Sequence, residues 1–407
     1  MPYLIWGIAV LILLFIVGNT ASWLLSWLVY FIALLALAAI TVVRRRAKVV
    51  SVARHVSPTQ AEIGQPVSVE VTLRWQGPTG PGWVLARDDI PDSFRALGPC
   101  GELFIAGDGA DSHYAYRLTG QQRGYFPIGP LRLSVGDLFG MAQTNVTGDD
   151  HTFLTIYPKI VPIPPLRIPS NRPIGDARST KRIYEDTTRI VGVRDYMPGD
   201  TFSRIHWKTT ARLGTLATKM CEPSTSIEVN IVLNLHYGDY PPIDTVAELA
   251  CTAAASVAVS LLEQKHLVGM QTNGYDAIWQ HQPTQAPLPI QIRPDKGPAQ
   301  LAAILNALGR MQLSATPALS TYLTQLHSTL PWTASTLIIS HHLSEESLLE
   351  LDALKKSGFE IVAIIVGSGS YAETARMRAA ALGIPVAWIR TEKELGTLEF
   401  WQPGRYA

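Results

Sequence analysis

Two apolar runs at the N-terminus, Tyr3–Val17 and Trp23–Val43, carry no charge and are broken only around Gly18-Asn19-Thr20. A helix that crosses a bilayer needs roughly 20 apolar residues, with about 17 as the lower limit. The second run meets that length, and the first does so once Pro2, Gly18 and Asn19 are counted at its ends. A basic leader and a small-residue cleavage site, which would mark a signal peptide, do not frame these runs. The pattern therefore predicts a transmembrane helical hairpin over residues 1–46, with Trp6, Trp23, Trp27 and Tyr30 supplying interfacial anchors. Arg44, Arg45, Arg46 and Lys48 follow at once. By the positive-inside rule they place this end, and the rest of the chain, on the cytoplasmic side of a multi-pass inner-membrane protein.

The hairpin explains the composition: 47% hydrophobic and 16% charged residues, with a mean hydropathy of +0.13. A net charge of +1 gives no electrostatic reason to expect a nucleic acid as partner. Cys100, Cys221 and Cys251 form no CxxC or Cys/His spacing, so neither a zinc site nor a disulfide framework is expected. Unpaired thiols fit a reducing compartment.

From residue 47 to 160 the hydrophobic period changes to two. VSVEVTLRW (Val67–Trp75), HYAYRLT, GPLRLSV and HTFLTIYP alternate, with Gly/Pro/Asp turns between them, which predicts a small antiparallel β-sandwich. Arg123 and Asp137 are expected to pair across strand ends. A proline-rich tether, Val161–Pro173, opens a connecting segment over residues 161–222. Residues 223–407 then alternate apolar strands with amphipathic helices. IEVNIVLNL, HLVGMQTN, STLIISHH, FEIVAIIVG and IPVAWI predict a mostly parallel, doubly wound α/β sheet covered on both faces. The overall class is α+β multidomain. Ligands of such sheets collect beyond the strands' carboxyl ends, here Asn234–Gly238, Ser340-His341-His342 and Gly367–Ser370.

Searches for a nucleotide loop, a serine elbow and a zinc-protease motif all come back empty. The turn GSGS at Gly367–Ser370 serves as a helix start, and Cys221 with His206 makes no persuasive nucleophile and base. No catalytic residue, metal or cofactor is expected.

Charged and aromatic residues concentrate in VGVRDYMPGDTFSRIHWKTTARLGTLATK, Val191–Lys219. Pro198-Gly199-Asp200 reads as a turn, Asp200 as the cap of a helix over Thr201–Arg212, and Trp207 as an inward anchor. This stretch resembles the signature of the domain of unknown function 58 family. Arg194, Tyr196, Pro198, Gly199, Asp200, Arg204, Ile205, Trp207, Lys208, Ala211, Arg212 and Lys219 carry the likeness. Arg123-Gly124-Tyr125 with Gly129-Pro130, and Asp137, Phe139 and Gly140, echo further family phrases.

The resemblance implies a β-domain followed by a von Willebrand factor type A-like domain. Such domains hold Mg²⁺ in an Asp-x-Ser-x-Ser loop, because a hard cation takes oxygen ligands. Here Asn234, His236 and Gly238 stand at the loop's ligand positions, so the metal loop reads as degenerate. The resemblance also implies association with a MoxR-type AAA+ ATPase and with a transglutaminase-like membrane protein. It therefore points to a membrane-anchored scaffold. A metal-dependent protein-binding module of type A kind is the alternative, and a hydrolase stands behind that. Within this frame the signature stretch is expected to act first as a structural clasp between the β-domain and the type A-like domain, and second as a partner-binding surface.

Overall fold

The computed structural model describes residues 12, 15, 16, 23–75, 82–106, 111–148, 150–166, 168, 185–223, 227–236, 244–281, 289–312, 317–327 and 334–400. The first arm of the expected membrane hairpin lies largely outside these residues. Its second arm is helix α1 (Trp23–Val49). Over Ser26–Ala47 its mean hydropathy is 2.4 and only 11% of that window is buried. Trp27, Phe31, Leu34 and Leu37 face outward, whereas Ala39, Val43 and Arg46 are buried. Those three fall at the spacing of one helix face.

The chain forms two compact units, Met1–Lys159 with Asp276–Pro287 and Leu305–Gln312, and Ile160–Tyr275 with Leu288–Ile304 and Leu313–Ala407. The first unit holds strands β1 (Val50–Ser57), β2 (Gln60–Glu62), β3 (Pro66–Trp75), β4 (Gly82–Asp88), β5 (Phe94–Leu97) and β6 (Gly101–Ala106). It continues with β7 (Ser112–Gly120), β8 (Gly124–Ile128), β9 (Leu131–Gly136), β10 (Gln143–Thr147) and β11 (Thr152–Tyr157). Two four-stranded sheets, ordered β1-β3-β7-β5 and β10-β9-β4-β6, send Val67, Val69, Val71, Val84, Leu133 and Val135 into one core. That is the sandwich expected from the period-two pattern. A third sheet, β2-β11-β8, adds Leu154 and Ile156 to the same core.

A buried ion pair sits inside this unit. Arg54 binds Asp88, donates to the carbonyls of Ile128 (3.0 Å) and Asp150 (3.1 Å), and Tyr116 donates its hydroxyl to Asp88 at 2.6 Å. Burial, and then the Asp88 carboxylate, pushes the Tyr116 phenol far above its ordinary value. Gly129, at φ +105°, leaves room for this guanidinium: a Cβ there would come within 2.8 Å of Arg54. Burying a charge is tolerable only when it is paired and hydrogen-bonded, which accounts for how completely this one is engaged.

Arg123 and Asp137 do not form the expected pair. Arg123 donates to the carbonyls of Leu308 (3.0 Å) and Met311 (2.8 Å), while Asp137 accepts from the amides of its own turn. Residues 276–287 and 305–312 were expected in the α/β domain, yet they count with the first unit. Within it, Leu308 and Met311 receive Arg123, and β17 (Met311–Gln312) lies against β8. The unit also includes the short helix α4 (Ile278–His281).

In the second unit, β12 (Glu185–Asp195) and β13 (Ala217–Pro223) form a two-stranded antiparallel sheet with helix α2 (Trp207–Leu213) between them. The main sheet comprises β14 (Glu228–Leu233), β15 (Leu267–Asp276), β16 (Pro289–Asp295), β18 (Ser335–Ser340), β19 (Glu360–Val366) and β20 (Val386–Ile389). Along the path β16-β15-β14-β18-β19-β20 every pairing is parallel except β15 with β16. β16 is the element the sequence hid: its prolines suit only an edge strand.

Helix α3 (Asp244–Glu263) is apolar enough to cross a membrane by composition, yet 72% of its window is buried and it packs on β14, β18 and β19. It is a core helix. The remaining helices are α5 (Pro298–Arg310), α6 (Leu319–His327), α7 (Glu345–Lys356), α8 (Ser370–Ala381) and α9 (Glu392–Leu395).

Removing one partner from the buried pair tests the sandwich directly. Asp88→Ala should destabilise the first unit by about 3–5 kcal/mol, read as a lowered denaturation midpoint of the purified chain.

Candidate functional site

The signature stretch is an excursion from the end of β12 to the start of β13. Arg194 opposes Thr218 and Asp195 opposes Ala217 in the ladder. From that frame Arg194 reaches Asp200 with two nearly parallel hydrogen bonds of 2.8 and 2.7 Å. Asp200 also accepts from the Met197 amide (3.1 Å) and the Thr218 hydroxyl (3.2 Å). Gly199 closes the turn at φ +110°, a conformation open to glycine at little cost. The hydrogen bond from Arg194, followed by the one from the Met197 amide, lowers the Asp200 pKa to about 2.

Asp200 therefore closes the turn behind it instead of capping the segment ahead. The expected helix over Thr201–Arg212 is broken in two: a 3₁₀ turn at Phe202–Arg204, then α2. Ile205 interrupts it by bridging to Thr218, and it is buried. His206 then caps α2, its Nδ1 accepting from the Thr209 amide at 3.2 Å, and Gly214 ends the helix at φ 72°. The cap occupies His206 Nδ1; the Cys221 side chain lies outside the described residues.

Trp207 does not pack inward. It is 64% exposed, Phe202 is 72% exposed, and Met197, Leu213 and Leu216 are exposed as well. The apolar position that does turn inward is Ile205, which bridges to Thr218 of β13. Tyr196 is half-buried with its ring stacked 6.4 Å from Phe202. Lys208 and Arg212 are exposed, and Arg204 is half-buried.

A second cluster forms where the main sheet changes direction. β14 lies between β15 and β18, so the crevice rule points at its carboxyl end. There the Asn234 side chain donates to Ser340 Oγ at 2.9 Å and accepts from Asn273 at 2.8 Å and from the His236 amide at 3.0 Å. Asn273 in turn accepts from the Leu235 amide (2.9 Å) and donates to the Pro317 carbonyl (3.0 Å). Ser340 donates to the His342 carbonyl at 2.6 Å. The Asn234 side chain is thus tied to Ser340, the last residue of β18, and to Asn273 inside β15. Asn273 was not singled out from sequence, because the strand signal of HLVGMQTN ends there whereas β15 runs on to Asp276. Gly238 lies outside the described residues.

His341 Nδ1 sits 2.7 Å from the Val366 carbonyl and so donates to it. Burial, then His341, Arg378 and His236, lowers the His342 pKa. These histidines lie near one another, but among the described residues no group of His, Cys, Asp or Glu has an arrangement that fits a metal ion. Gly369 caps α8 through its backbone, so the GSGS turn serves the helix start.

A family model described as "Protein of unknown function DUF58" matches residues 192–370. Over those residues the chain is similar to that family. The match begins inside the signature hairpin and runs through β19 to the start of α8, leaving β20 outside it. "Uncharacterized protein YeaD" of Bacillus subtilis (strain 168) is 24% identical over 225 residues, which are 54% of this chain and 55% of that protein. The chain thus spans about half the length of the curated relative it matches.

Likeness to solved structures is slight. The cupredoxin domain of amoB from Nitrosocaldus yellowstonii aligns at a TM-score of 0.20 and 10% identity, over 27% of this chain and 88% of that one. A beta-glucosidase from Listeria innocua aligns at 0.16 and 15%, over 26% and 16%. Neither carries an argument.

Two outcomes follow from the site. Asn234→Asp removes a donor from a buried network and should cost about 1–3 kcal/mol, with no recovery on adding Mg²⁺; recovery would show a latent cation site. Because the folded-state pKa of Asp200 is depressed, its contribution to stability is present above the ordinary aspartate value and is lost as pH falls through about 2. Amide exchange at Met197 should therefore stay slow down to the acid range in the native chain and be fast already at neutral pH in Asp200→Asn.

Proposed function

We propose that the protein is a membrane-anchored, non-enzymatic scaffold and that the signature excursion is where it takes a protein partner. One observation carries this reading. Phe202 and Trp207 stand outward on a hairpin framed by the Arg194–Asp200 ion pair. Large apolar side chains on a soluble surface mark interaction sites, and aromatic anchors dominate the energy of protein interfaces. Arg194 and Asp200, engaged with each other, serve as the frame for those anchors. Arg204, Lys208 and Arg212 supply charge around them.

The family resemblance makes a MoxR-type AAA+ ATPase the partner to test first, with a transglutaminase-like membrane protein as a further associate in assembly or envelope-related work. The parallel sheet with amides at its switch point supports a type A-like fold whose metal loop has become a hydrogen-bonded knot. Helix α1 and its exposed Arg44 and Arg45 support an anchor in the inner membrane with the folded units in the cytoplasm.

The test is capture of the purified ATPase by the full chain in detergent, with and without ATP. The Phe202→Ala/Trp207→Ala variant should melt like the native chain yet bind roughly 30-fold or more weakly, as loss of a hot spot of about 2 kcal/mol implies. Full binding by that variant would remove the excursion as the docking surface. Binding without ATP should survive chelation of Mg²⁺, and its loss would favour the metal-dependent alternative.

A further inference from the structure

The turn between β9 and β10 is a second exposed apolar feature, far in sequence from the signature and not used by the scaffold reading. Leu138, Phe139 and Met141 are 55%, 70% and 44% exposed. Their turn is not loose. The Asp137 carboxylate accepts from the Phe139 amide at 2.9 Å and the Ala142 amide at 2.7 Å, and the Asp137 amide donates back to the Ala142 carbonyl at 3.2 Å. Gly140 supplies the positive φ of 71° that the reversal needs. Burial acts to raise the Asp137 pKa, but the amides of Ala142, Phe139 and Met141 together hold it below the ordinary value. An ionised, buried carboxylate thus fixes the backbone while three large apolar side chains project from it.

The position of the turn gives it meaning. Gly136, at its root, pairs with Trp83 across the sheet. A Cβ at the neighbouring Gly82 would collide with both the Arg46 guanidinium and the Gly136 carbonyl. The turn therefore begins level with Arg46, where α1 meets the sandwich and packs on β9 and β10. Arg46 is buried there, and Arg44 and Arg45 beside it are exposed.

We infer that the Asp137–Met141 turn dips into the headgroup region of the bilayer that holds α1, with Leu138 and Phe139 as its buried tip. Amphipathic elements with Phe and Leu seat themselves about 5–10 Å into this boundary, and basic residues beside them are drawn to anionic lipid. The inference rests on the membrane-anchor reading of α1. It gives the sandwich a fixed orientation at the membrane through two contacts, the helix and the turn.

Photo-crosslinking tests it. The full chain is placed in nanodiscs of phosphatidylethanolamine and phosphatidylglycerol, with p-benzoylphenylalanine replacing Phe139, Leu138, Leu34 or Asp92 in turn. Asp92 lies in the β4–β5 loop, close to where Phe94 opposes Gly120. Lipid adducts are expected at positions 34, 138 and 139 and absent at 92. Adducts at 34 without any at 138 or 139 would overturn the inference and leave the anchor standing. Adducts to protein at 138 and 139 would also overturn it, by showing that another chain covers the turn. Absence of lipid at 34 would remove the anchor and the inference together.

Discussion

The bidentate pair between Arg194 and Asp200 is the contact on which the signature excursion depends. Planar guanidinium and carboxylate groups match one another in two parallel hydrogen bonds, and here the match ties the last residues of β12 to the turn that follows. Asp200 then holds Met197 and Thr218, so one carboxylate joins the outgoing strand, the turn and the returning strand. With the backbone fixed in this way, Ile205 turns in against β13 while Phe202 and Trp207 are left outside. The charges organise the surface, and the aromatic rings are what it offers.

The same logic recurs at the switch point of the main sheet. The Asn234 amide divides its hydrogen bonds among Ser340, Asn273 and the His236 amide. An amide both donates and accepts, so it can bridge neighbours that a carboxylate could only accept from. In the sandwich, Asp88 is likewise consumed by Arg54 and Tyr116. In these places, chemistry-bearing side chains spend their hydrogen bonds on one another.

Much of the fold was legible because its periods are clean. The alternation of Val67–Trp75 marks a half-buried strand, and the unbroken apolar runs of β14, β18 and β19 mark strands buried along their length. β16 was hidden because proline suppresses the strand signal, and the shift of residues 305–312 to the first unit was hidden because it rests on Arg123 reaching two backbone carbonyls. At the site, the structure joins Arg194 to Asp200, and it is Ile205 instead of Trp207 that turns inward. A tryptophan reads as an anchor from composition alone; that Ile205 takes the inward place depends on a bridge to Thr218 that no local pattern encodes.

A double-mutant cycle on Arg194 and Asp200, read both by amide exchange at Met197 and by capture of the proposed ATPase partner, tests the central claim most directly. If the two groups act only through each other, Arg194→Ala, Asp200→Ala and the double variant should open the hairpin to the same extent and weaken capture equally. Additive losses in capture, with exchange at Met197 left as slow as in the native chain, would contradict the account by showing that each group meets the partner on its own.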